Sequence, residues 1–228
     1  RFVQAKTFGS LINIPFDEVT GINELLIELG QLVESGDTIQ MPASQQLIPF
    51  IKQAQILTQK YDAVVANPPY MGSKGMNAEL KKFAKDNYPD SKSDLFTIYI
   101  ERCLAMGKHD SELGMVTPFV WMFISSYKRV REKIITAHTL SSLIQLEYNA
   151  FAPACIPVCA YTIKQGHFNK YTGSYIKLSD FKGHKNQSPK ALEAIRNHDC
   201  SWFYRTKPYD FIKIPGTPIV YWLNDKIR

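Results

Sequence analysis

Tyr61-Asp62-Ala63-Val64-Val65-Ala66 is a short apolar run without helical period, and Asn67-Pro68-Pro69-Tyr70 follows it at once. The length of the run and its β-branched centre predict a buried strand. The prolines offer no N–H to a ladder and fix φ, so the strand must end there. Helical segments lie on both sides of it. The alternation predicts an α/β protein in which this tetrapeptide sits at the carboxyl end of a strand, where ligands of open α/β sheets bind.

The flanking segments support that architecture. Val19, Ile22, Leu26, Leu29 and Val33 fall on one face of a helix from Glu18 to about Ser35, stopped by Gly36. A second helix is expected from Ser44 to Lys60, with Pro49 near its first turns, and the first fifteen residues are expected to be extended. After the tetrapeptide come a polar loop, a short basic helix near Asn77–Lys85 and a second loop. The segment from Asp94 to Gly107 is apolar on most sides and predicts a buried helix. Gly114–Pro118 reads as a strand, Ser125 to Ala137 as a helix, and Leu140–Tyr148 and Ile156–Lys164 as strands. The short Phe151–Cys155 turn between the last two suits an antiparallel hairpin. The sheet is therefore expected to be mostly parallel with an antiparallel end.

The tetrapeptide fits one kind of substrate, a planar amino group. Such a nitrogen is a poor nucleophile because its lone pair is delocalised. The Asn67 side-chain carbonyl and the Pro68 backbone carbonyl can each accept one of its N–H bonds. That arrangement can pyramidalise the nitrogen and aim the lone pair at an electrophile. Pro68 and Pro69 stiffen the loop and supply no local N–H to compete for those carbonyls, and Tyr70 offers a face for a flat ring. An Asn-Pro turn with Tyr70 in the core is the plainer alternative.

Here the sequence resembles the amino-group class of S-adenosylmethionine-dependent methyltransferases, above all the N6-adenine DNA methyltransferases of restriction–modification and BREX phage-defence systems, the PglX-like proteins. Residues 60–165 carry the resemblance: beyond the tetrapeptide, Ser93-Asp94-Leu95-Phe96, Gly114–Pro118 and Phe151–Ile163 look like the following helix, strand and late hairpin. It implies a Rossmann-like catalytic fold, with Asn67 and Pro68 on the adenine amino group and Tyr70 stacked on the ring. It also implies Asp94 near the cofactor and Phe151 helping to hold the base. The Gly-rich cofactor loop of this class has no counterpart here. The resemblance therefore implies that this loop precedes Arg1, and that residues 1–167 are the later part of a catalytic domain. Residues 168–228 would then be a linker and the beginning of a β-rich target-recognition region.

Charge agrees with a polyanionic partner. The chain of 228 residues carries 27 basic and 21 acidic residues, a formal +6. Residues 164–190 hold six lysines and one acid, so Lys164, Lys170, Lys177, Lys182 and Lys185 are candidate contacts to double-stranded DNA. Lys128, Arg129, Arg131 and Lys133 read as a solvated helix face. Trp202, Tyr204, Tyr209, Tyr221 and Trp222 either stack bases or form the core of a small β-rich module. Asp62 reads as a strand-start residue, and Ser125 and Ser126 lack a nucleophile elbow. Cys103, Cys155, Cys159 and Cys200 show no metal spacing, the histidines are scattered, and no apolar stretch reaches membrane-span length. Reduced thiols, no metal, a cytoplasmic location and other defence-complex subunits as partners are the corresponding expectations. Two further functions remain open: methylation of a protein glutamine or an RNA guanine amino group, and a non-catalytic DNA-binding or scaffold role.

Overall fold

The computed structural model describes residues 4–151 and 156–223 and divides into two units, residues 1–60 and 61–228.

In the first unit a short helix α1 (Ala5–Phe8) and a 3-10 turn replace the expected extended start. Helix α2 (Val19–Ser35) then pairs with α3 (Gln40–Thr58). Asp37 Oδ1 accepts from the Ile39 and Gln40 amides, both at 2.8 Å, and so sets the start of α3. Gln55 donates to Asn23 Oδ1 at 2.7 Å, joining the late part of α3 to the early part of α2. Pro49 lies well inside α3, because the helix begins four residues earlier than the sequence suggests.

The second unit is a six-stranded mixed sheet in the order β1-β2-β4-β3-β5-β6. Its elements are β1 (Tyr61–Ala66), α4 (Ala78–Asn87), α5 (Leu95–Met106), β2 (Gly107–Pro118), α6 (Lys128–Ala137), β3 (His138–Gln145), β4 (Val158–Gln165), β5 (Gly173–Lys177), α7 (His184–Arg196) and β6 (Phe203–Thr206). Strands β1, β2, β3 and β5 run one way, while β4 and β6 run against them. The hairpin β3–β4 forms as expected, with β4 lodged between β2 and β3.

Strand β4 shows the two-residue period of a sheet with one packed face. Cys159, Tyr161 and Ile163 are buried, and they meet Phe96, Ile100 and Leu104 of α5 and Val130, Ile134 and Ile135 of α6. Trp121, in the 3-10 segment after β2, is fully buried, with its ring centroid 5.1 Å from that of Tyr161.

Three expectations change. Strand β1 is not buried: it is a sheet edge, and Val65 is 83% exposed. An apolar run identifies the strand but cannot say whether a neighbour covers it. The predicted division at 167/168 falls between β4 and β5, two strands of the same sheet, since β5 pairs with β3 and β6 with β5. Consistent with this, Tyr221 packs in the central core, stacked on Tyr175 at 5.0 Å, and so belongs to the sheet rather than to a separate module. Third, Arg131 is not on a solvated face. It is 1% exposed and donates to the carbonyls of Trp121, Ile124, Gly216 and Thr217 at 2.7–2.8 Å. The basic residues around it do face solvent, paired Lys128 and Arg129 to Glu132 and Lys133 to Glu101.

Candidate functional site

Strand β1 pairs in parallel with β2, with Ala66 beside Met115, and the chain turns out of the sheet at Asn67. The turn is held from below by Tyr70, whose hydroxyl lies 3.0 Å from Asn67 Oδ1 and 3.2 Å from the Val116 carbonyl. Burial, with a smaller contribution from Cys159, pushes the Tyr70 phenol above its ordinary range, so it remains a donor at neutral pH. Its ring stands edge-on to Phe96 of α5, with centroids 6.3 Å apart. Asn67 is therefore not free of local competition, as the proline argument alone suggests. A carbonyl oxygen has two lone pairs, however, so Asn67 Oδ1 can accept again, and the Val116 carbonyl gives the Tyr70 hydroxyl a second place to go. Among the described residues no donor is hydrogen-bonded to the Pro68 carbonyl.

Asp94 fastens this loop to α5. It is the N-cap of that helix: its Oδ1 accepts from the Phe96 amide at 3.2 Å and from the Met71 amide at 3.1 Å. The Leu95 amide answers to the Met71 carbonyl at 2.9 Å, and Gly72 bridges to Asp94. Burial raises the Asp94 carboxyl, and the backbone amides partly offset that rise.

Asn67, Pro68, Pro69 and Tyr70 line a cleft of about 580 Å³ together with Val116 and Phe151. Phe151 is 53% exposed, and among the described residues its ring makes no contact with that of Tyr70. Thus the tetrapeptide and Phe151, which are distant in sequence, share one cavity. The expected Phe151–Cys155 turn lies largely outside the described residues, as does Cys155 itself. Cys103 and Cys159 are buried free thiols, pushed up by burial to about 11 and about 12. Cys200 is a free thiol, half-buried.

The candidate lysines divide between the two ends of the sheet. Lys164 pairs with Glu112 and Thr139, whereas Val158 pairs with Pro118 at the tetrapeptide's end. Six residues of strand separate the two, roughly 20 Å. Lys164 stands over Phe168 there, and Lys170 is exposed in the turn that follows. Lys177, by contrast, pairs with Gln145 at the tetrapeptide's end, where it is held by Asp180 at 3.2 Å and lies over Trp222. Lys182 and Lys185 follow it and are exposed. Glu147 ties their segment down: it accepts from the Gly183 and Asn149 amides, and its own amide donates to Gln187 Oε1. Of the C-terminal aromatics Tyr209 is partly exposed, whereas Trp202 packs against Phe181. Among the described residues no group of three or more His, Cys, Asp or Glu could hold a metal ion, and no helix is long and apolar enough to cross a membrane.

The cleft thus brings the Asn67 and Pro68 acceptors together with the Tyr70 and Phe151 side chains. The chain is also similar to known proteins. The chain is 40% identical over 224 residues to the adenine-specific methyltransferase BrxX of Escherichia coli O9:H4 (strain HS), covering 97% of this chain and 18% of that protein. It is 35% identical over 235 residues to the adenine-specific methyltransferase PglX of Lacticaseibacillus casei (strain Zhang), covering 99% of this chain and 19% of that protein. The chain thus spans under a fifth of the length of these relatives. In fold it is similar to a nuclease-deletion mutant of the Type ISP restriction-modification enzyme LlaGI, solved with a DNA substrate mimic. That match has a TM-score of 0.56 at 12% identity, over 84% of this chain and 17% of that one. Residues 20–151 match the Eco57I restriction-modification methylase family, more than half of the chain, and the chain belongs to that family.

Proposed function

We propose that the complete protein transfers a methyl group to the N6 amino group of adenine in double-stranded DNA, as part of a restriction–modification or phage-defence system. The observation that carries this reading is the shared cleft, which Asn67, Pro68, Tyr70 and Phe151 line together. The adenine must leave the helical stack to enter it. Tyr70 and Phe151 then hold the ring, each stack worth about 1–3 kcal/mol. Asn67 Oδ1 and the Pro68 carbonyl accept the two N–H bonds, which localises the nitrogen lone pair. The new N–C bond forms in line with loss of the methyl group from its carrier, and the surplus proton passes to water, so no strong general base is needed.

The methyl donor implied is S-adenosylmethionine, which supplies an electrophilic methyl on a cationic sulfonium when bound. Of the residues here, the half-buried Asp94 carboxylate fits the cationic part. We assign Lys182 and Lys185, exposed at the same end of the sheet, to phosphates flanking the base; Lys177 there is already paired with Asp180, and Lys164 lies at the other end.

The adenine-specific names of the relatives support adenine as the base, and the restriction-modification family supports DNA as its carrier. The test is methyl incorporation by the complete protein into DNA, RNA and protein in parallel. Label in DNA adenine is expected, whereas label confined to protein glutamine or RNA guanine overturns the reading.

A further inference from the structure

Residues 73–93 leave the sheet directly after the tetrapeptide and return to it directly before α5. Their base is fastened by the Ser73 amide to the Ser93 carbonyl at 3.0 Å and by the Leu95 amide to the Met71 carbonyl at 2.9 Å. The lobe so closed is anchored by α4. Asn77 caps that helix by accepting from the Leu80 amide at 2.8 Å, Leu80 and Ala84 are buried, and the Phe83 and Tyr88 rings pack together. At about 100° per residue, Lys81, Lys82 and Lys85 fall on one flank within an arc of about 100°. Glu79 and Asp86 share the adjacent flank.

Several other cations of the sheet unit are already tied to acids. Lys108, Lys128, Lys133, Lys177, Lys190 and Lys213 each have a carboxylate partner. Lys74, Lys81, Lys82, Lys85 and Lys92 are exposed and have no such partner among the described residues. A cation that is not ion-paired is available to an external anion.

We infer that this lobe is a second DNA-backbone site, in which the Lys81, Lys82 and Lys85 flank of α4 grips phosphates beside the flipped base. The inference rests on the reading that duplex DNA is the substrate. Contacts of this kind position the duplex without reading sequence.

The test is the complete protein carrying Lys81→Gln, Lys82→Gln and Lys85→Gln, which keep good helix formers on an exposed face. DNA binding is measured against salt, and methyl transfer against DNA concentration. Each lost phosphate contact removes about 0.9 from the slope of log K against log salt, so the slope is expected to fall by about 2–3. Binding is expected to weaken at least about tenfold at near-physiological salt, with the loss in KM for DNA rather than in kcat. The same three positions changed to Arg should restore the slope. An unchanged slope in a variant whose wild-type parent methylates DNA overturns the inference, as does a fall in kcat alone. Failure of the wild type to methylate DNA overturns the methylation reading instead, while a reduced salt slope still supports the lobe as a DNA grip.

Discussion

The Tyr70 hydroxyl stands 3.0 Å from Asn67 Oδ1, so the side chain assigned to the substrate amine is already engaged by the ring assigned to stack on it. Loss of the hydroxyl and loss of the ring should therefore have different consequences. Tyr70→Phe removes one hydrogen bond worth about 0.5–1.5 kcal/mol and keeps the stacking face, so methylation should persist within roughly tenfold. Tyr70→Ala removes a stack worth about 1–3 kcal/mol and should lower kcat/KM by roughly 5- to 150-fold. Steady-state kinetics on a short duplex separates the two.

Phe151 offers a cleaner separation of binding from stability. It is 53% exposed, so Phe151→Ala should leave the denaturation midpoint within about 0.5 kcal/mol of wild type. The same change should weaken capture of the flipped base, seen as a raised KM for DNA, if the ring forms the second wall of the cleft.

Arg131 should behave in the opposite way. Its guanidinium satisfies four carbonyls and ties the segment after β2 to the 216–217 turn. Arg131→Met orphans those carbonyls and should cost at least about 3 kcal/mol, since a buried unsatisfied polar group costs about 1–3 kcal/mol. Denaturant unfolding of the sheet unit measures this. Arg131→Lys should recover only part of the loss, because an ammonium lacks the planar fork.

Asp94 gives a pH prediction. Its carboxyl is raised above the ordinary aspartate range by burial, so the folded state favours the protonated form more than the unfolded chain does. The stability contributed by this group is present below the unfolded pKa and is lost as pH rises through the folded one. A cation prefers the ionised form, so affinity for S-adenosylmethionine should fall with acid from a higher pH than an ordinary aspartate would give. Calorimetry across mildly acidic pH, with Asp94→Asn as comparison, checks this. The amide keeps the helix cap and should remove the pH dependence.

Much of the catalytic sheet can be read from local sequence, and the physical reasons are specific. Asn67 and two prolines after the mostly apolar Tyr61–Ala66 run mark the end of β1 without ambiguity, and Asp94 before a run of apolar residues marks the start of α5. The exposure of β1 could not be read, because cover depends on residues distant in sequence. Strand β5 escaped notice because Gly173–Lys177 is short and polar at both ends, and its place in the sheet comes from pairing with β3. Arg131 looked like one of a run of surface cations. Its offset of three and four from Ile134 and Ile135 puts it on their buried face, and that was the available signal. The union of Tyr70 with Phe151 in one cleft is a product of the β2–β4–β3 register, which no local pattern encodes.

The most direct measurement is N6-methyladenine formed in duplex DNA by the complete protein and by its Asn67→Ala variant, quantified by mass spectrometry of the released nucleosides. The account predicts methylation by the wild type. In the variant it predicts a fall in kcat of about 100- to 1000-fold, the scale on which loss of one preorganised hydrogen-bonding group acts at a reacting centre. Adenine methylation continuing at near wild-type rate in Asn67→Ala would contradict it.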